Sequence, residues 1–175
     1  IGSAGCTHEL FDHSRLGQAD PAFTGIMQET CVTVTWMKLC CQLLLYTGES
    51  VFADHIERSA YNALLGAVNR NQVPRDPLSA NCWLPFDSYS PLRAGCRGQA
   101  VGGRMVMADN TIYGCCAAIG AAGLGMAPAA SALLRRDGLA LCLYLPGVMS
   151  LPAPSGQKLQ LTVDTGYPLE EQVIL

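Results

Sequence analysis

The stretch from Glu29 to Ala67, "ETCVTVTWMKLCCQLLLYTGESVFADHIERSAYNALLGA", contains two helical patterns separated by a short turn. In its first third, threonines alternate with Val32, Val34 and Trp36 as they do in a strand. The apolar residues that follow instead have helical spacing, and the run is too long for a typical strand. We therefore predict one helix, which ends at Gly48 because glycine readily adopts the left-handed conformation of a helix C-cap.

A second helix is predicted directly after this turn, with Ser50 as its N-cap. Its apolar residues recur at helical spacing and define one face. They are Phe52, Ile56, Ala60, Ala63, Leu64 and Ala67. Two antiparallel helices joined by a short turn form a helical hairpin, so this part of the chain is predicted to be mainly α-helical.

The character of the sequence changes toward its C-terminal end. "CCAAIGAAGLGMAPAASALLRRDG", residues 115–138, is predicted as a helix of small residues that permits close packing, although Pro128 weakens it. "LALCLYL" (139–145) and "QKLQLTV" (157–163) alternate as strands do. Helices followed by strands predict two domains, residues 1–137 and 138–175.

Composition excludes some classes of function. With 11 Lys and Arg among 175 residues and a net charge of -3, no basic stripe is available for nucleic acid. No apolar run is long enough for a membrane span, and no signal peptide is visible. The nine cysteines are an odd number, which favours a reduced, cytoplasmic chain in which paired cysteines indicate metal or nucleophile chemistry. The absence of an initiating Met suggests a piece of a longer protein.

Four residues form a candidate zinc site. Glu29 and Cys31 lie two apart at a predicted helix start, and Cys115 and Cys116 are adjacent. One carboxylate and three thiolates suit a tetrahedral zinc ion. The spacing is not that of a zinc finger, and the alternative is that the two adjacent cysteines are simply small residues at a tight helix entry.

Several segments together resemble glycoside hydrolase family 127, the β-L-arabinofuranosidase family, in the later part of its catalytic domain. They are the "GCTHELFD" turn, the "ETC" and "ERSAYN" motifs, the double cysteine and the "TGYP" strand, in that order along the chain. The resemblance implies the later helical hairpins of an (α/α)6 barrel followed by the first strands of a β-sandwich. It also implies a zinc ion bound by Glu29, Cys31, Cys115 and Cys116, with Cys115 as the nucleophile.

The resemblance further implies an acid/base and substrate contacts. Glu9 in "THELFD" is the matching candidate for the acid/base, and Glu57 in "ERSAYN" for a sugar contact; a solvated loop position and an exposed helix position are the respective alternatives. His8, beside Glu9, is a second candidate for sugar binding. Trp83, Phe86 and Tyr89, in the long segment between the helices, either stack on a sugar ring or anchor the loop to the core.

The function predicted from the sequence is that of a retaining glycoside hydrolase acting on terminal furanosides such as β-L-arabinofuranose. Its partner is a carbohydrate substrate, with a homodimer or association with a missing N-terminal part as further expectations. The alternative is a non-catalytic protein in which the four ligands form a purely structural zinc site. A sulfur that faces an open cleft favours the first function, and a closed site favours the second.

Overall fold

The computed structural model describes residues 6–7, 27–68, 86, 89–91, 105–106, 112–113, 115–136, 138–153 and 156–175. The chain separates into two compact units, Ile1–Leu124 and Gly125–Leu175. Within the described residues, the first unit carries the helical hairpin and the second is mostly strands, in the order that the sequence predicts. The domain boundary between residues 137 and 138 stays a prediction.

Helix α1 spans Thr30–Thr47 and follows Glu29 directly. It ends where the sequence predicts, at Gly48, whose φ of 69° is left-handed and whose N–H donates to the Leu44 carbonyl at 2.9 Å. Only glycine adopts this conformation without the steric cost of a Cβ. Because α1 begins at Thr30, the first third of the stretch from Glu29, which was ambiguous between strand and helix, is helical.

Helix α2 spans Ser50–Arg58, and the prediction that Ser50 caps it is wrong. Glu49 precedes the helix and no side chain caps its first turn. The turn between the two helices is instead closed from α1, because Thr47 Oγ1 accepts a hydrogen bond from the Glu49 N–H at 3.1 Å. Ser50 is consequently already inside the helix. After α2 the chain widens into a π-helical turn, Ser59–Leu64, and then tightens into a 3-10 turn, Leu65–Ala67.

The core of the hairpin lies between α1 and the segment formed by α2 and the two turns after it. On α1 the buried side chains recur at helical spacing, as an amphipathic helix requires. They are Thr30, Thr33, Val34, Met37, Cys40 and Leu44. Opposite them the buried residues are Ala53, Ile56, Ser59, Ala60, Ala63, Leu64 and Ala67, which include most of the predicted apolar face.

Short strands precede both of the helices that carry the candidate ligands. Strands β1 (Cys6–Thr7), β2 (Met27–Glu29) and β3 (Tyr89–Pro91) form an antiparallel sheet with β2 in the centre. Strands β4 (Met105–Val106) and β5 (Ile112–Tyr113) form an antiparallel pair. Strand β2 leads straight into α1, and β5 lies just before helix α3, Cys115–Ala130.

Helix α3 is shorter than the sequence predicts. Residues Ala132–Arg135 form strand β6, which pairs antiparallel with β7, Gly138–Leu141. Both the N–H and the Oγ of Ser131 donate to the Pro128 carbonyl, at 3.1 and 2.6 Å, and close the last helical turn. The backbone groups after Ser131 then find their partners in a hairpin, which local helix propensity does not reveal.

The remaining strands form an antiparallel sheet in the order β10-β9-β8. They are β8 (Gly147–Pro152), β9 (Lys158–Thr165) and β10 (Val173–Ile174). The two predicted strands therefore correspond to β7 and β9. Val163 is buried and its β9 neighbours Thr162 and Asp164 are exposed, in the alternation that the sequence predicts. Among the described residues, none of the helices has the length and apolarity needed to cross a membrane.

Candidate metal centre

Glu29, Cys31, Cys115 and Cys116 meet at one place in the structure. One donor atom from each residue lies within 4.8 Å of the donor atoms of the other three. Cys31 Sγ is 3.3 Å from Cys115 Sγ and 3.2 Å from Cys116 Sγ, although 84 and 85 positions separate them in sequence. Cys115 Sγ and Cys116 Sγ are 3.9 Å apart. The predicted proximity of the two ligand pairs is therefore present in the fold.

Each pair is held where a strand gives way to a helix. Glu29 is the last residue of β2 and immediately precedes α1, and Cys31 is the second residue of that helix. Cys115 and Cys116 are the first two residues of α3. The N-terminal ends of two helices thus converge on the cluster, and their amide dipoles favour negative charge there. This suits three thiolates and a carboxylate.

The donor set fits a zinc ion. Zinc bonds of about 2.3 Å to sulfur in a tetrahedral arrangement place ligand sulfurs about 3.8 Å apart. The observed separations of 3.2 to 3.9 Å lie around that value. Sulfur-rich tetrahedral sites are typical of zinc rather than of magnesium or calcium, which prefer oxygen. Nowhere else among the described residues do three or more potential ligands come together.

The protonation of Cys31 depends on its surroundings. Burial raises the pKa of the Cys31 thiol, and the neighbouring thiols of Cys116 and Cys115 raise it further. Without a cation the Cys31 thiol therefore favours its protonated form, because burial and neighbouring sulfurs disfavour a thiolate at this position. A bound divalent cation reverses this preference, since metal ligation deprotonates coordinating thiols. The cluster is thus chemically suited to a cation.

The two adjacent cysteines differ in accessibility. Cys116 is fully buried, whereas Cys115 is partly exposed. Both begin the same helix, so the difference comes from the direction in which each side chain leaves the first turn. Within this pair, Cys115 is therefore the residue that combines a place in the cluster with partial exposure.

Of the other predicted site residues, Glu57 is described and lies half-buried on the last turn of α2. Burial raises the pKa of Tyr61, and the charge of Glu57 raises it further, so the two side chains are close. Tyr61 is on the π-helical turn, a type of irregularity that is frequent at functional sites. The i,i+4 spacing within "ERSAYN" was a signal for this pair that our sequence analysis did not use. Glu9 and His8 lie outside the described residues.

Phe86 anchors its segment to the core. It is buried, forms an isolated β-bridge with Val68, and its ring lies against the backbone of Gly120 in α3. Of the two sequence-based alternatives for the three aromatic residues, anchoring therefore describes the position of Phe86. Trp83 and the side chain of Tyr89 lie outside the described part of the chain. Gly120 and Gly123, which permit close approach to α3, were not singled out by the sequence analysis.

Comparison of the chain with protein-family models gives a match to a glycoside hydrolase family. Residues 1–74 match the model described as β-L-arabinofuranosidase, GH127 catalytic domain. The resemblance noted from the motifs is thereby confirmed over this segment, which includes Glu29, Cys31 and Glu57; the cysteine pair lies beyond it. Comparisons with curated proteins and with solved structures gave no match.

Proposed function

We propose that the protein is a retaining glycoside hydrolase that acts on terminal furanosides such as β-L-arabinofuranose. The observation that carries the proposal is the meeting of a carboxylate and three thiols from two distant segments, beside a segment that matches the GH127 catalytic domain. In this proposal α1 and α2 form one of the later hairpins of an (α/α)6 barrel, and the C-terminal strands begin a β-sandwich.

Glu29, Cys31, Cys115 and Cys116 hold a zinc ion in the proposed enzyme. When bound, the ion keeps the coordinating sulfurs deprotonated at neutral pH. Cys115 is assigned as the nucleophile because it is the partly exposed residue of the pair, whereas Cys116 is fully buried and therefore out of reach of a sugar. Cys116 and Cys31 have the role of holding the geometry.

The proposed reaction proceeds in two displacements. The Cys115 sulfur attacks the anomeric carbon, the glycosidic C–O bond breaks, and Glu9 donates its proton to the departing oxygen. Glu9 then removes a proton from a water molecule that attacks the same carbon, and the C–S bond breaks to return the thiolate. Two inversions give overall retention of configuration, with sulfur in the place of the usual carboxylate nucleophile.

Glu57 and His8 are proposed to bind the sugar. Glu57 supports this role through its half-buried position and its proximity to Tyr61, because a carboxylate and a phenol side by side offer both an acceptor and a donor for hydroxyl groups. The proposal for His8 rests on its place beside Glu9 in the sequence.

The competing function is a non-catalytic protein with a purely structural zinc site. A closed structural site has all its sulfurs shielded, so the partial exposure of Cys115 favours catalysis. Replacing each cysteine of the pair by serine in the full-length protein separates the two functions. Cys115→Ser should abolish hydrolysis of aryl β-L-arabinofuranosides while the other three ligands still bind zinc, although more weakly than the wild type does. Cys116→Ser should weaken zinc binding and lower activity in parallel.

Intact-mass and peptide analysis with a slow furanoside provides the decisive measurement. The proposal expects a covalent furanosyl adduct on the peptide that contains Cys115. An adduct on a carboxylate would remove Cys115 from the role of nucleophile. A wild-type protein that binds zinc stoichiometrically but hydrolyses no member of a furanoside and pyranoside panel would support the structural alternative.

A further inference from the structure

We infer that Gly120 and Gly123 are positioning residues of the metal centre. They let α3 approach α1 and the π-helical turn closely enough for Cys115 and Cys116 to reach Cys31 and Glu29. The inference rests on the metal site of the proposed function and adds to it two residues that bind neither metal nor substrate.

Gly123 lies where no side chain fits. A Cβ at this position would be 2.7 Å from Val34 Cγ2 and 3.0 and 3.3 Å from the two δ carbons of Leu64. The shortest of these separations is about 0.7 Å below the 3.4 Å at which ordinary contact begins. Val34 and Leu64 are both almost completely buried, so neither can swing into solvent to make room.

A side chain at position 120, one turn closer to the cysteines, would also be obstructed. A Cβ there would lie 2.6 to 2.8 Å from three ring carbons of Phe86. Phe86 is buried and its backbone pairs with Val68, so the ring cannot turn out into solvent without breaking these contacts. The aromatic ring therefore covers the glycine backbone directly, and any side chain at position 120 must push α3 or Phe86 away.

These two contacts are connected to the sulfurs by helix geometry. Cys116, Gly120 and Gly123 are spaced i, i+4 and i+7, so they lie on one face of α3. On α1, Cys31 and Val34 are spaced i and i+3, on a shared face. Sulfur meets sulfur at the start of the two helices, and glycine meets valine further along both. The glycines and the metal ligands thus belong to the same helix–helix contact.

The narrow range of metal–ligand distances indicates what a displacement of α3 would do to the metal centre. Metal–ligand distances vary by only about 0.2 Å in well-formed sites. Relieving the overlap at Gly123 by moving α3 requires a shift of about 0.7 Å or more. A shift of that size at the start of α3 takes the sulfurs of Cys115 and Cys116 out of range of an ion held by Glu29 and Cys31.

Gly125 offers a matched control. It lies two residues further along α3, and a Cβ at this position meets nothing within 4 Å. Gly123→Ala and Gly125→Ala therefore make the same chemical change in the same helix. Both raise intrinsic helix propensity, and only the first creates an overlap. Any difference between them reports the contact with Val34 and Leu64.

The test measures cobalt binding by the full-length protein, because Co²⁺ reports thiolate ligands through charge-transfer absorption. Gly123→Ala should bind Co²⁺ about 10- to 100-fold more weakly, the range seen when groups that orient ligands are lost. It should also show weaker thiolate absorption per bound ion. Gly125→Ala should match the wild type in both respects. A general loss of stability would lower the unfolding midpoint of the metal-free protein without changing the spectrum of the ion that binds.

A compensating variant completes the design. Val34→Ala removes the carbon that the new methyl group overlaps most, so Val34→Ala/Gly123→Ala should recover cobalt affinity and thiolate absorption relative to Gly123→Ala. This double variant also decides the matter if Gly123→Ala does not fold. Wild-type affinity and spectrum in Gly123→Ala, equal losses in Gly125→Ala, or a folded double variant without recovery would each overturn the inference. A wild-type protein that binds no cobalt would instead refute the metal centre itself.

Discussion

Replacing Cys31 by alanine tests the four-donor centre at its most connected member. Cys31 Sγ lies 3.3 and 3.2 Å from the sulfurs of Cys115 and Cys116, whereas those two are 3.9 Å from each other. It is also the only sulfur that α1 contributes to the cluster. Cys31→Ala leaves Glu29 alone to link α1 to a metal bound at the start of α3.

The expected loss follows from sharing the binding free energy among four ligands. Structural zinc sites bind with about 10 to 16 kcal/mol at neutral pH. One ligand of four then accounts for about 2.5 to 4 kcal/mol, and each 1.4 kcal/mol corresponds to a tenfold change in affinity. We therefore expect Cys31→Ala to bind zinc about 60- to 700-fold more weakly than the wild type.

The assay is competition with a chromophoric chelator at fixed pH and under reducing conditions, on the full-length protein. Cys41→Ala is the matched control, since it makes the same change on the same helix outside the cluster. Its affinity should equal that of the wild type. If Cys31→Ala kept zinc affinity within about threefold of the wild type, the four residues would not act as one metal site.

Two further predictions concern the acid/base and the core. Glu9→Gln in the full-length protein should still form the thioglycosyl intermediate from an activated aryl furanoside, because nitrophenolate leaves without a proton. The variant should hydrolyse that intermediate slowly unless azide is added. Equal losses on activated and natural substrates, without rescue by azide, would transfer the acid/base role to another carboxylate, with Glu57 the first to test. Burial raises the pKa of Cys40 from 9.0 to about 11, so the unfolded chain ionises first as pH rises, and the resulting stability is present below pH 9 and lost between pH 9 and 11. Chemical denaturation across this window should show the unfolding free energy of the wild type falling by up to about 3 kcal/mol more than that of Cys40→Ala; parallel pH profiles would contradict the reasoning.

Local patterns were sufficient where the physical cause is local. The hairpin could be predicted because apolar residues recur at helical spacing on both arms, and its turn because Gly48 has a left-handed φ that glycine alone tolerates well. The predictions that Ser50 caps α2 and that α3 continues past Ser131 were wrong for a different reason. Hydrogen bonds from Glu49 to Thr47, and from Ser131 to Pro128, decided those ends, and intrinsic propensity does not reveal such alternatives.

For the candidate site too, some features follow from the sequence and others depend on tertiary packing. By itself the sequence determined which donors exist, and the resemblance of its motifs indicated that Glu29, Cys31, Cys115 and Cys116 belong together. No periodicity brings residues 31 and 115 within 3.3 Å, because contacts across 84 positions depend on how helices pack. Tertiary structure alone decided that Cys116 is buried and Cys115 accessible, and that Gly123 lies against Val34, since each depends on which neighbours occupy the surrounding space.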